Sequence, residues 1–138
     1  MEPSSGLIGM IYELKKKCAQ SDQRLMHELK ISQSELLFFS ALNNCQSISS
    51  PELAKNMGLS LSRISRIVDK LVVNGYLDRN ADTTDRRAIK LCLTTKGKTI
   101  RNKIDKSRYE CEEKLLEIIP STDFQRFEQL FSEIVSKM

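Results

Sequence analysis

The sequence predicts a mainly α fold with a small β-wing: four helices, one hairpin and two further helices. Three observations lead there. Apolar residues recur at helical spacing over most of the chain, and one run, Ile89–Leu91–Leu93, alternates like a strand instead. The breaks between segments carry capping residues, glycine or proline. At 138 residues, 40% of them hydrophobic and 29% charged, the chain has the length and composition of one domain with a proper core.

The first helix is expected over the first thirty residues, where Leu7, Ile11, Leu14, Cys18, Leu25 and Leu29 form a stripe interrupted by Asp22. "SQSE", Ser32 to Glu35, has capping-box spacing ahead of "LLFFSAL", which gives a second helix from about Gln33 to Asn44. In "SISSPELAKNMGLS" the same spacing joins Ser49 and Glu52, Pro51 suits a first turn, and Gly58 suits a C-cap. Ser60 can then cap "LSRISRIVDKLVVN", which Gly75 closes. Short helix, tight turn and longer helix form a helix-turn-helix outline.

Beyond Gly75 the period becomes two. "YLDRN" and the half-buried run from Ala88 to Leu93 are expected to pair around a loop near Ala81 to Arg87, with room for a very short strand near Ser47. Thr94 or Thr95 caps a long helix through about Ile119, and Pro120 breaks it. The last segment, "TDFQRFEQLFSEIVSKM", puts Phe124, Phe127, Phe131 and Ile134 on one helical face.

Several functions are disfavoured. The four cysteines, Cys18, Cys45, Cys92 and Cys111, form no C-x-x-C pair, and with His27 as the one histidine a zinc site is not expected. There is no glycine-rich phosphate loop and no nucleophile elbow, so no enzyme and no cofactor is expected. No apolar run approaches a membrane span and no leader precedes a cleavage site, so the expected location is the cytoplasm.

Charge is more informative. Ser60 to Arg101 carries ten Lys/Arg against four Asp/Glu, a balance of +6, while the whole chain is +4 and the remainder therefore −2. Positive charge confined to one segment is what a polyanion-facing surface requires. On the helix after Ser60, Leu61, Ile64, Ile67, Val68 and Leu71 fall on the side expected to pack inward. Ser62, Arg63, Arg66, Asp69 and Lys70 fall opposite, offering short polar groups and forked cations to base edges and phosphates. A helix-turn-helix followed by a basic-tipped hairpin is a winged-helix outline.

The stretch from Ser49 to Gly97, above all "SRIVDKL", "DRR" and "LTTKG" at their mutual spacing, resembles the core of the MarR family of winged-helix transcription regulators. The resemblance implies a homodimer in which about residues 1–30 and 96–138 supply the dimerisation helices and about 32–95 the DNA-binding lobe. The broad apolar faces of the terminal helices, including Leu115, Phe124, Phe127, Leu130 and Phe131, agree with that. Twofold symmetry would set two reading helices roughly 34–36 Å apart on a palindromic double-stranded DNA operator.

Carried over position by position, Ser60, Ser62, Arg63, Ser65 and Arg66 would face the major groove and Lys70 a phosphate. Arg86 and Arg87 occupy the wing positions from which arginine enters the minor groove. Asp85 is expected to pair with a neighbouring arginine, and Asp69 to hold a wing arginine against the reading helix. Family members commonly release DNA when a small anionic or phenolic effector binds; Met10, Leu14, Phe38, Phe39 and Ile104 are the candidate lining, with core packing the plainer role of each. A redox-responsive cysteine is the alternative trigger. Cys18, after "ELKKK", has ammonium groups to favour its thiolate but sits on the apolar stripe, which opposes it. The alternative from another class is a winged-helix module that binds protein rather than DNA.

Overall fold

A computed structural model describes residues 6–42, 47–82, 84–85 and 88–138. Among the described residues the chain is mainly helical, with six helices and a small three-stranded antiparallel sheet. In order these are α1 (Leu7–Leu29), α2 (Gln33–Ala41), β1 (Ser47–Ser49), α3 (Ser50–Met57), α4 (Leu61–Val73), β2 (Leu77–Ala81), β3 (Ile89–Leu93), α5 (Thr95–Ile118) and α6 (Ser121–Lys137). Two compact units divide it, Met1–Asn102 and Lys103–Met138, and α5 runs unbroken across their boundary.

Local chemistry sets the helix ends. Ser32 Oγ accepts from the Glu35 N–H at 3.2 Å while Glu35 Oε2 accepts from the Ser32 N–H at 3.1 Å, a complete capping box for α2. Ser49 and Ser60 each accept from the N–H three residues on, at 3.3 and 3.4 Å, and start α3 and α4. Gly58, at φ 63°, ends α3 in the left-handed region. α2 stops at Ala41 rather than at the expected Asn44. The Asn56 side-chain amide from α3 donates to the Ala41 carbonyl at 3.2 Å, satisfying a terminal acceptor there.

In the first unit α2, α3 and α4 pack on one another and on the sheet, whose order is β1-β3-β2. Phe38, Phe39, Leu53, Ile64, Leu71, Leu77 and Leu91 are buried at its centre. Phe38 meets Phe39 edge-on at 5.4 Å, and Phe39 meets Tyr76 likewise at 5.8 Å. Leu91 stands opposite both Ile48 and Arg79.

Four expectations about burial need correction. On α1 Leu25 and Leu29 are buried, but Leu7 and Leu14 are exposed, so the unit covers only the C-terminal turns of that stripe. Cys18 is exposed with the uncovered part and faces no core. Ile89 is 54% exposed although Leu91 is buried, because it pairs with exposed Ala81 two residues farther out along the hairpin. Leu61 is exposed as well, at the first turn of α4, beyond the stretch that Ile64, Val68 and Leu71 bury.

α5 starts against the α4–β2 turn. Thr94 Oγ1 donates to the Gly75 carbonyl at 2.6 Å and accepts from the Gly97 N–H at 3.0 Å, so Thr94 is the cap. A Cβ at Gly97 would stand 2.2 Å from the Tyr76 carbonyl oxygen. Backbone meets backbone there, with no flexible side chain to yield. Gly97→Ala is therefore expected to destabilise the fold by about 1–3 kcal/mol in denaturant unfolding; an unchanged midpoint would contradict this packing.

Candidate nucleic-acid interface

α4 presents two unlike sides. Ile64, Val68 and Leu71 are buried, with Ile67 half-buried. Ser60, Ser62, Arg63, Ser65, Arg66 and Lys70 are all exposed along its length and at its cap. The structure thus brings these six sequence-predicted residues together on one element. Ser60 Oγ lies 3.2 Å from Ser62 Oγ, so the two hydroxyls pair at the helix start.

The other end of α4 is held by groups that periodicity did not reveal. Glu35 is 3% exposed, and its Oε1 accepts from Asn74 Nδ2 at 3.0 Å with Lys70 Nζ 3.9 Å away. The Asn74 carbonyl in turn accepts from Lys96 Nζ at 2.9 Å, and Lys96 lies over the Tyr76 ring at 4.8 Å. The capping-box spacing had marked Glu35 for its local role. Its reach to a residue thirty-nine positions away was invisible in sequence.

The wing is tied to the same helix. Arg79, on β2, donates to Asp69 Oδ1 on α4, which is the expected contact between Asp69 and a wing arginine. Both side chains are well exposed, so the pair is worth about 0.2–1 kcal/mol and orients the hairpin more than it stabilises the fold. Farther out, the Thr84 N–H and hydroxyl both donate to Asp82 Oδ1 at 3.0 Å, and Lys90 Nζ lies 3.8 Å from it. Asp85 accepts from the Ala88 N–H through its main-chain oxygen at 3.1 Å. Arg86 and Arg87 lie outside the described residues, and so does Cys45.

Of the candidate effector lining, Phe38, Phe39 and Ile104 are fully buried, while Met10 is 60% and Leu14 42% exposed. A cavity of about 410 Å³ in the first unit is lined by Leu37, Ser40, Ala41, Asn56, Met57 and Leu59. Within the second unit one of about 370 Å³ is lined mainly by Leu115, Phe124, Phe127 and Phe131, and the last two rings stack at 5.8 Å. Among the described residues no cluster of His, Cys, Asp or Glu could hold a metal ion, and no helix is long and apolar enough to cross a membrane.

A helix-turn-helix whose second helix shows a polar and cationic side, flanked by a hairpin salt-bridged to that helix, defines a winged-helix lobe. Comparison with known proteins gives the family. The sequence model of the MarR family matches residues 31–89. The transcriptional repressor MprA of Escherichia coli K12 is 28% identical over 92 residues, 67% of this chain and 52% of its own length. This chain thus spans about half the length of that curated relative.

Among solved structures, wild-type apo MarR from E. coli superposes with a TM-score of 0.71 at 20% identity, covering 94% of this chain and 96% of that one. NadR in complex with 4-hydroxyphenylacetate gives 0.73 at 18% identity, over 97% and 94%. Residues 31–89 carry the sequence of the MarR family of winged-helix transcription regulators, a family of regulators rather than enzymes, and the chain shares the fold of solved MarR.

The wing carries a pH prediction. The Thr84 N–H, then its hydroxyl, hold the Asp82 carboxyl below the ordinary aspartate range; desolvation opposes this and the Lys90 charge adds to it. With the folded pKa below the unfolded one, this stabilisation is present above the ordinary aspartate value and lost as pH falls through the folded value. A carbon-detected NMR titration should give Asp82 a midpoint below about 3.9. Its disappearance with Asp82→Asn would assign the signal, whereas a midpoint above that value would contradict the turn.

Proposed function

We propose that the chain is a dimeric, sequence-specific DNA-binding transcription regulator acting as a repressor on an inverted-repeat operator. The observation that carries this is the side of α4: Ser62, Arg63, Ser65 and Arg66 are exposed together over its N-terminal half. The N-terminal part of a reading helix is the part that meets base edges. Lys70, 60% exposed at its side chain and near Glu35, is assigned to a phosphate. The Asp69–Arg79 pair would aim the wing, and Arg86 and Arg87 are assigned to the minor groove and the adjacent phosphates.

Dimerisation is supported by exposed apolar side chains. Leu7, Ile8, Met10 and Tyr12 on α1 are all at least 60% exposed, and Leu130, Phe131, Ile134 and Val135 on α6 at least 40%. Such a concentration marks an interaction surface. Repression is drawn from the likeness to MprA, and release by a small phenolic or anionic effector from the likeness to NadR. Met10, Leu14, Phe38, Phe39 and Ile104 remain the residues proposed to respond to it. Cys18, exposed on α1, would serve the redox alternative.

Several Lys/Arg–phosphate contacts per lobe should give a steep salt dependence, with affinity falling of order 10³-fold between about 50 and 200 mM salt. A protein-binding module would show no affinity for promoter duplex even at low salt, and that result would sink the repressor reading. Arg66→Ala is expected to cost about 1–3 kcal/mol and relax preference at one base position, whereas Arg87→Ala should weaken binding evenly across sequences. Competition assays on a panel of single-base variants separate the two. Silence of both substitutions would show that the reading face has been misassigned.

A further inference from the structure

We propose that Leu61 recognises the C5-methyl group of a thymine, one in each half of the operator, an inference that rests on the DNA-binding reading above. Leu61 is the first residue of α4 and is 57% exposed, although periodicity puts it near the buried Ile64 and Val68. Two of its polar neighbours contact each other. Ser60 Oγ accepts from the Arg63 N–H at 3.4 Å and sits 3.2 Å from Ser62 Oγ. Beside that hydroxyl pair the start of the helix exposes an apolar group, the isobutyl side chain of Leu61. Ser65, one turn later and also exposed, lies on the same side.

The chemistry of the groove selects the partner. An apolar side chain gains nothing beside a phosphate, whose hydration it would disturb without replacing. The major groove offers one apolar feature on its base edges, the thymine methyl, and side chains at the start of a reading helix reach those edges. Leu61 thus specifies thymine against cytosine by shape and hydrophobic contact, beside the hydrogen-bonding groups of Ser62 and Arg63.

The test begins with duplexes selected by the wild-type chain from genomic fragments. Each thymine of a bound half-site is then replaced singly by deoxyuridine, which lacks only the methyl. One position per half-site is expected to lose roughly fourfold in affinity, the effect of one buried methyl-sized group. Leu61→Ala should bind the all-thymine duplex more weakly and lose its sensitivity to deoxyuridine at that position alone. Leu61→Met, similar in volume, should keep it. Because Leu61 is exposed, the unfolding temperature of Leu61→Ala is expected to match wild type, which separates a lost contact from a lost fold. Identical deoxyuridine profiles for wild type and Leu61→Ala would overturn the assignment and leave DNA binding standing. Failure to select any duplex at low salt would overturn both.

Discussion

The buried carboxyl of Glu35 ties the first unit together. It is the one buried polar or charged residue among those described, and it meets three groups from two helices: the Ser32 N–H, the Asn74 amide and the Lys70 ammonium. Burial of a carboxyl is costly unless its lone pairs are filled, so the helices must keep the arrangement that fills them. Withdrawal of one partner would leave a buried acceptor unsatisfied, a loss of about 1–3 kcal/mol. Asn74 passes the constraint on, since its carbonyl accepts from Lys96 and so joins the end of α4 to the start of α5. The position of α4 therefore follows from both sides, α2 and α5.

That anchorage lies at the C-terminal end of α4, away from the side chains assigned to bases. The N-terminal end is fixed by its own cap, Ser60, and by the tight turn at Gly58. Between them the inward apolar residues hold the rotation of the helix, and Asp69 holds Arg79 of the wing. A helix secured at its far end, along its inner side and to its hairpin can leave the outward side chains of its first two turns exposed. Exposure of Leu61, Ser62, Arg63, Ser65 and Arg66 follows directly from this, while Ile64 between them is buried.

Much of the fold was legible in the sequence because its signals are local. The capping box at Ser32, the serine cap at Ser49, the glycines at 58 and 75 and the proline at 120 each act within a turn, and each marks an element end in the structure. The winged-helix side of α4 was legible for the same reason: one helical period sorts Arg63 and Arg66 from Ile64 and Val68. The family resemblance carried the expected pairing of Asp69 with a wing arginine. Only the strand register, with Arg79 opposite Leu91, identifies that arginine as Arg79.

Propensity, capping and period were enough to mark which segments are helical, most of the helix ends and the charged side of α4, although α2 ends at Ala41, short of its expected end. Tertiary structure alone decided burial at the edges and partners at a distance. Leu61 and Ile89 have the periodicity of buried residues, yet each extends past the neighbours that would cover it. Cys18 belongs to an apolar stripe of which Leu7, Leu14 and Cys18 itself are exposed. Glu35 and Asn74 are thirty-nine residues apart, and Gly97 is needed because the Tyr76 carbonyl comes within reach of its Cα hydrogen. Period and composition describe a residue and its near neighbours; only packing says how far the covering surface extends and which remote group fills the last hydrogen bond.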